Sequence, residues 1–161
     1  METREAAETE RRPLHPSARS SARLGLGEVD ILASGLLHVR LAGSLRLEHL
    51  EPMMFAAAEE IVKGNRVLLA IDADDVHAYK SEVRKIFQSW LRDIAPEIEG
   101  IWMLYRAPVM KMGIGLMNSF TGGLIRSFSD PAEFDAELSK ATRQAKRGWL
   151  RKDGYDHQAR V

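Results

Sequence analysis

Hydrophobic positions along this chain fall into short alternating or continuous runs, separated by longer stripes of helical period and punctuated by glycine and proline. Residues 29–33 and 36–41 are strand candidates joined by Ser34-Gly35, a two-residue connection that favours an antiparallel hairpin. In the second run Leu37, Val39 and Leu41 alternate with His38 and Arg40, so one side meets a core and the other a polar surface. Gly43-Ser44 is expected to end that strand. Met53, Met54, Ala57, Ala58 and Ile61 then recur at three-to-four spacing, which predicts a helix reaching Val62 with Gly64-Asn65 as its exit. Pro52 leaves two beginnings open: a preliminary turn over residues 45–50 before a helix with Pro52 in its first turn, or a single helix bent at Pro52.

Residues 67–71 are continuously apolar, the pattern of a central parallel strand covered on both faces, and residues 72–77 read as the loop after it. A second helix is predicted over residues 78–94, where Val83, Ile86, Phe87, Trp90, Leu91 and Ile94 form a wide apolar stripe closed by Pro96. Residues 101–105 give another central strand. Pro108 suits the first turn of a third helix that stops at Gly122-Gly123. Residues 124–128 form the last strand, and Asp130-Pro131-Ala132-Glu133 supplies a cap, a proline at the first helical position and a capping-box acid for a final helix reaching Leu150.

The order is therefore β-β-α-β-α-β-α-β-α: an α/β domain with a mostly parallel central sheet, an N-terminal antiparallel hairpin and right-handed crossover helices. Strands laid side by side in sequence order put every connecting helix on one face of the sheet. The opposite face then needs cover from the hairpin, the final helix or a second subunit, and this motivates the expectation of a homodimer. Residues 1–27 are rich in Glu, Arg, Ala and Ser and are expected to form a disordered leader, with a short helix over residues 2–12 as an option; residues 28–150 form the domain, and residues 151–161 a flexible tail.

At 161 residues the chain suits one domain, and a 45% hydrophobic, 29% charged composition supports a core without crosslinks. Cysteine is absent, which removes disulfides, thiolate metal sites and cysteine nucleophiles. No apolar run approaches the roughly 20 residues that a bilayer demands, and the first residues lack a signal-peptide core, so a cytoplasmic protein without a transmembrane segment is expected. The net charge of zero hides an asymmetry. Residues 24–139 hold eleven basic and seventeen acidic side chains, whereas residues 140–161 hold seven basic and two acidic. A polyanion would meet only that last segment, and its basic residues read more simply as the water-facing side of an amphipathic helix, so nucleic acid is not an expected partner.

Several segments carry a resemblance: Gly35-Leu36-Leu37-His38-Val39, Leu41-Ala42-Gly43, Val67-Leu68-Leu69-Ala70-Ile71-Asp72, Tyr79-Lys80-Ser81-Glu82-Val83-Arg84-Lys85, Val109-Met110-Lys111-Met112-Gly113, and Leu124-Ile125-Arg126-Ser127-Phe128 with Asp130-Pro131-Ala132-Glu133-Phe134. Together they resemble the STAS-like domains of anti-sigma-factor antagonists and sulfate-transporter tails, in particular an uncharacterised bacterial, SpoIIAA-like branch. That resemblance implies a STAS-like fold and a regulatory, protein-binding role. Antagonists of the family carry a phosphorylatable serine at the start of the helix after the Asp-ending strand, commonly within Asp-Ser-Ser-Gly. Asp72-Ala73-Asp74-Asp75 stands there in this chain, and Ser81 is expected to lie too far into the helix to replace it.

Two groups of side chains are candidates for contact with a partner or ligand. Asp72, Asp74, Asp75 and His77 follow a central strand, where open α/β sheets bind ligands, and are read mainly as caps and solvated loop charges. Met110, Met112 and Met117 belong to a helix apolar almost all round, read first as a buried core helix and alternatively as a Met-rich surface for a protein, a lipid or another subunit. The five histidines are dispersed without metal spacing, and the glycines match neither a dinucleotide fingerprint nor a phosphate loop. No catalytic residue, metal ligand or cofactor follows from the sequence. The favoured function is a non-enzymatic protein-interaction or regulatory module; the alternatives are binding of a hydrophobic metabolite or lipid by the Met-rich helix, and metal-assisted phosphoryl transfer by the acidic group.

Overall fold

The computed structural model describes residues 27–152. Expectations for the leader, for the short helix within it and for all but the first two residues of the tail lie outside these residues. The elements are β1 (Glu28–Ala33), β2 (Leu36–Leu45), α1 (Leu47–Val62), β3 (Val67–Tyr79), α2 (Ser81–Ile94), a 3-10 turn (Ala95–Glu97), β4 (Ile98–Leu104), α3 (Pro108–Phe120), β5 (Ile125–Phe128) and α4 (Pro131–Lys146). The five strands lie in sequence order, with β1 antiparallel to β2 and every other pair parallel. This is the mixed α/β architecture the sequence predicts.

Right-handed crossovers place α1, α2 and α3 on one face, where they pack on Leu37, Val39, Leu69, Ile71, Ile101 and Met103. The other face is not bare. Phe134, Leu138, Ala141 and Ala145 of α4 cover Leu36, Leu68, Ala70, Leu104 and Phe128 there, and the Phe134 ring meets Phe128 edge-on at 5.4 Å. Of the covers the sequence leaves open, the hairpin, the final helix or a second subunit, it is the final helix that lies over this face.

Five boundaries differ from the sequence reading for physical reasons. Gly43-Ser44 does not stop β2, because β2 and β3 continue as a parallel pair to Leu45 opposite Tyr79. Two bulges absorb the mismatch: Arg40 and Ala42 face Asp72 and Asp75, and Gly43 and Ser44 face Val76 and Ala78. The acidic stretch of residues 72–77 is therefore strand, not loop, since cross-strand pairing overrides the local preference of aspartate for turns. As β3 runs on, α2 starts at Ser81 instead of residue 78. Helix α1 is continuous from Leu47 and carries Pro52 inside it, so neither the preliminary turn nor a start at Pro52 is present; its entry is closed by His49, whose Nδ1 accepts the Arg46 N–H at 3.0 Å. Finally, α4 ends at Lys146, and the following turn brings Leu150 under the β1–β2 connection, where its carbonyl accepts the Arg66 N–H at 2.8 Å.

That connection needs Gly35. Its φ is 83°, and a side chain there would run into the Arg66 carbonyl and Leu150. Beneath it the buried Glu60 carboxylate accepts the Gly35 N–H at 3.1 Å and the Asn65 side-chain amide at 2.7 Å, joining the end of α1 to the hairpin.

Candidate functional site

The sheet separates the two groups of candidate residues. Strand alternation points Ala73 and Val76 into the three-helix layer, while Asp72 faces the α4 side, close enough to feel Asp135 of α4. Asp72 Oδ1 accepts the Asp74 N–H at 3.1 Å, stitching the bulge. Partial burial pushes the Asp72 carboxyl above its ordinary range, with repulsion from Asp74, Asp75 and Asp135 adding to it and the Asp74 amide opposing it. Asp74 is held by Arg106 in a two-pronged pair at 2.7 and 2.5 Å, which ties β3 to the β4–α3 connection. Asp75 and His77 are exposed. Among the described residues no group of three or more His, Asp or Glu is arranged to hold a metal ion. The acidic residues thus do not converge on one centre: Asp72 stabilises a bulge and Asp74 anchors a loop through Arg106, which the sequence reading did not single out.

The methionines divide between two sides of α3. Met110, Gly113, Ile114 and Met117 are buried against the sheet and α2. Met112 is 80% exposed and shares the outer side with Val109, Leu116 and Phe120, the last 63% exposed. Neither expectation for this helix stands alone: it is core on one side and apolar surface on the other. The spacing of Val109, Met112, Leu116 and Phe120 is three, four and four residues, a continuous stripe along about three turns. Gly115 and Ser119 border it, and a side chain at Gly115 would meet nothing.

Beneath α3 lies a cavity of about 50 Å³. Leu45, Val83, Phe87, Met110, Ile114 and Met117 contribute to its apolar wall, and Tyr79 and Arg84 also reach it. Tyr79 fixes the helix above: its hydroxyl donates to the Val109 carbonyl at 3.1 Å and sits so close to Gly113 that any side chain there would collide with it. Tyr79 escapes the sequence reading because the end of β3 is expected as the start of a helix, and Arg84 because a charged residue beside an apolar stripe reads as solvent-facing. The same shift corrects Ser81, which is the first residue of α2 and exposed, not a residue well inside a helix.

No known family profile matches the sequence, and no curated protein matches it. Solved structures do. An uncharacterised protein of the DUF3478 family with a SpoIIAA-like fold, from Shewanella loihica, superposes with a TM-score of 0.54 at 17% identity, over 71% of this chain and 95% of that one. An anti-sigma factor antagonist from Mycobacterium paratuberculosis gives 0.49 at 16% identity, over 70% of this chain and 92% of that one. SpoIIAA, an anti-sigma factor antagonist, in its unphosphorylated form gives 0.47 at 14% identity, over 70% and 96%. The fold is SpoIIAA-like, that is, STAS-like, with the antiparallel β1–β2 pair leading a parallel sheet. No helix among the described residues is long and apolar enough to cross a membrane.

Proposed function

We propose that this chain is a non-enzymatic protein-interaction or regulatory module of the cytoplasm, and that its contact surface is the outer side of α3. The observation that carries this reading is the stripe of Val109, Met112, Leu116 and Phe120, four apolar side chains in line on a helix whose opposite side already fills the core. Continuous apolar surface of this kind marks interaction sites on soluble domains. The first partner is a second copy. Across a two-fold axis two α3 helices run antiparallel, each stripe meets its own image, and Gly115 and Ser119 let the backbones approach. The only charge on the helix, Lys111 near its start, then lies beside the carbonyl end of the facing helix, where a cation is favoured.

Because the chain has no cysteine, one introduced thiol reports the contact unambiguously. Met112→Cys is expected to form a disulfide-linked dimer on mild oxidation, whereas Lys140→Cys on α4 remains monomeric. Equal crosslinking at both positions would reject α3 as the contact surface.

A second reading rests on a different observation: the cavity lined by Met110 and Met117 favours binding of a small hydrophobic molecule under α3. Methionine walls can repack around a guest, since an unbranched thioether has several rotamers of similar energy. The acidic residues give no comparable support to phosphoryl transfer, as Arg106 already occupies Asp74.

A further inference from the structure

Arg84 lines the cavity under α3 and is the one charged side chain in a wall otherwise made of apolar groups and Tyr79. Its Nε is buried without a hydrogen-bond partner, and no carboxylate among the described residues pairs with the guanidinium. The side chain as a whole is half-buried, so its charge reaches the mouth of the cavity while the Nε–H lies inside. A buried N–H left unmatched is costly, and a carboxylate is the group that matches the fork geometry of a guanidinium. A single guanidinium balances a single negative charge, which favours a carboxylate over a dianionic phosphate ester.

Resting on the reading that the cavity binds a hydrophobic molecule, we propose that its ligand is an amphipathic carboxylate, an alkanoate whose head group meets Arg84 and whose tail enters between α2 and α3. About 50 Å³ is less than the roughly 150 Å³ that holds a benzene ring, so the tail must displace side chains. Met103, Met110 and Met117 line the path and are the residues best able to move. Affinity then rises about fourfold for each methylene the pocket accepts, and levels off once the methionines can retreat no further.

Titration calorimetry of the full chain with octanoate and with octanol separates the head group from the tail. Octanoate is expected to bind with one-to-one stoichiometry and more tightly than octanol. Arg84→Gln should weaken octanoate at least tenfold and leave octanol unchanged, and Arg84→Lys, which keeps the charge but not the fork, should restore only part of the loss. Equal binding of acid and alcohol, unaltered in Arg84→Gln, would overturn the carboxylate assignment while leaving a hydrophobic pocket in place. Failure of both probes to bind at millimolar concentration would overturn the pocket itself.

Discussion

Helices α3 and α4 invite comparison because each begins with a proline at its first position and each seals one face of the same sheet. Their inner sides obey the same rule: Met110, Ile114 and Met117 on α3, and Phe134, Leu138 and Ala141 on α4, sit at helical spacing and are buried. Their outer sides do not. α4 presents Glu133, Lys140, Arg143 and Lys146 to water, whereas α3 presents Val109, Met112, Leu116 and Phe120. Sheet packing accounts for every large apolar side chain on α4 and for only about half of those on α3. The remaining half needs another partner, and a fold requirement cannot supply it. The inner sides differ too, since α4 packs Phe134 tightly against Phe128 while α3 stands over a cavity.

Core truncation sharpens that comparison most. Phe134→Ala should cost about 4 kcal/mol in urea unfolding, in the usual range for a buried phenylalanine. Met117→Ala should cost nearer 2 kcal/mol, because its neighbours already border empty space and lose fewer contacts. Equal losses at the two sites would mean that the α3 side is packed as densely as the α4 side. Removing the α4 cap is a smaller perturbation. Asp130 accepts the Ala132 N–H at 3.0 Å, and Asp130→Ala should cost about 1 kcal/mol. α3 has no side-chain cap to lose, so Ala107→Asp should instead add stability, by about 0.5 kcal/mol.

Asp72 gives the subtlest test, through pH. Its folded-state carboxyl titrates above the unfolded value, so the folded protein binds the extra proton and stability falls as pH rises through that window. Asp72→Asn should therefore raise the melting temperature at neutral pH, and the gain should vanish below about pH 4, where the unfolded carboxyl is also protonated. A gain independent of pH would assign the effect to packing instead of charge.

Legibility in the sequence followed the physics of each segment. Continuous runs such as residues 67–71, the Ser34-Gly35 connection and the Asp130-Pro131 helix start all carry local signals strong enough to fix an element, and the strand order followed from them. The extension of β3 through residues 72–79 was not legible, because its bulged pairing with β2 is a tertiary contact that overrides three aspartates. That single error moved the start of α2, hid Tyr79 from the cavity and misplaced Ser81. The division of the methionines was only half legible: residues 109–120 are apolar all round, so the period alone gives no phase, and the sheet decides that Met110 and Met117 turn in while Met112 turns out. Cover of the second sheet face by α4 was open in the sequence, because an amphipathic helix declares that it packs and not where.

The central claim is that the outer side of α3, and not that of α4, is a contact surface, and sedimentation equilibrium across a hundredfold range of concentration tests it directly. The unaltered chain should associate; Met112→Glu with Leu116→Glu should weaken association at least tenfold with no loss of stability, while Lys140→Glu with Arg143→Glu should leave it unchanged. A chain that stays monomeric throughout, or one whose association survives both glutamates on α3, would contradict the account.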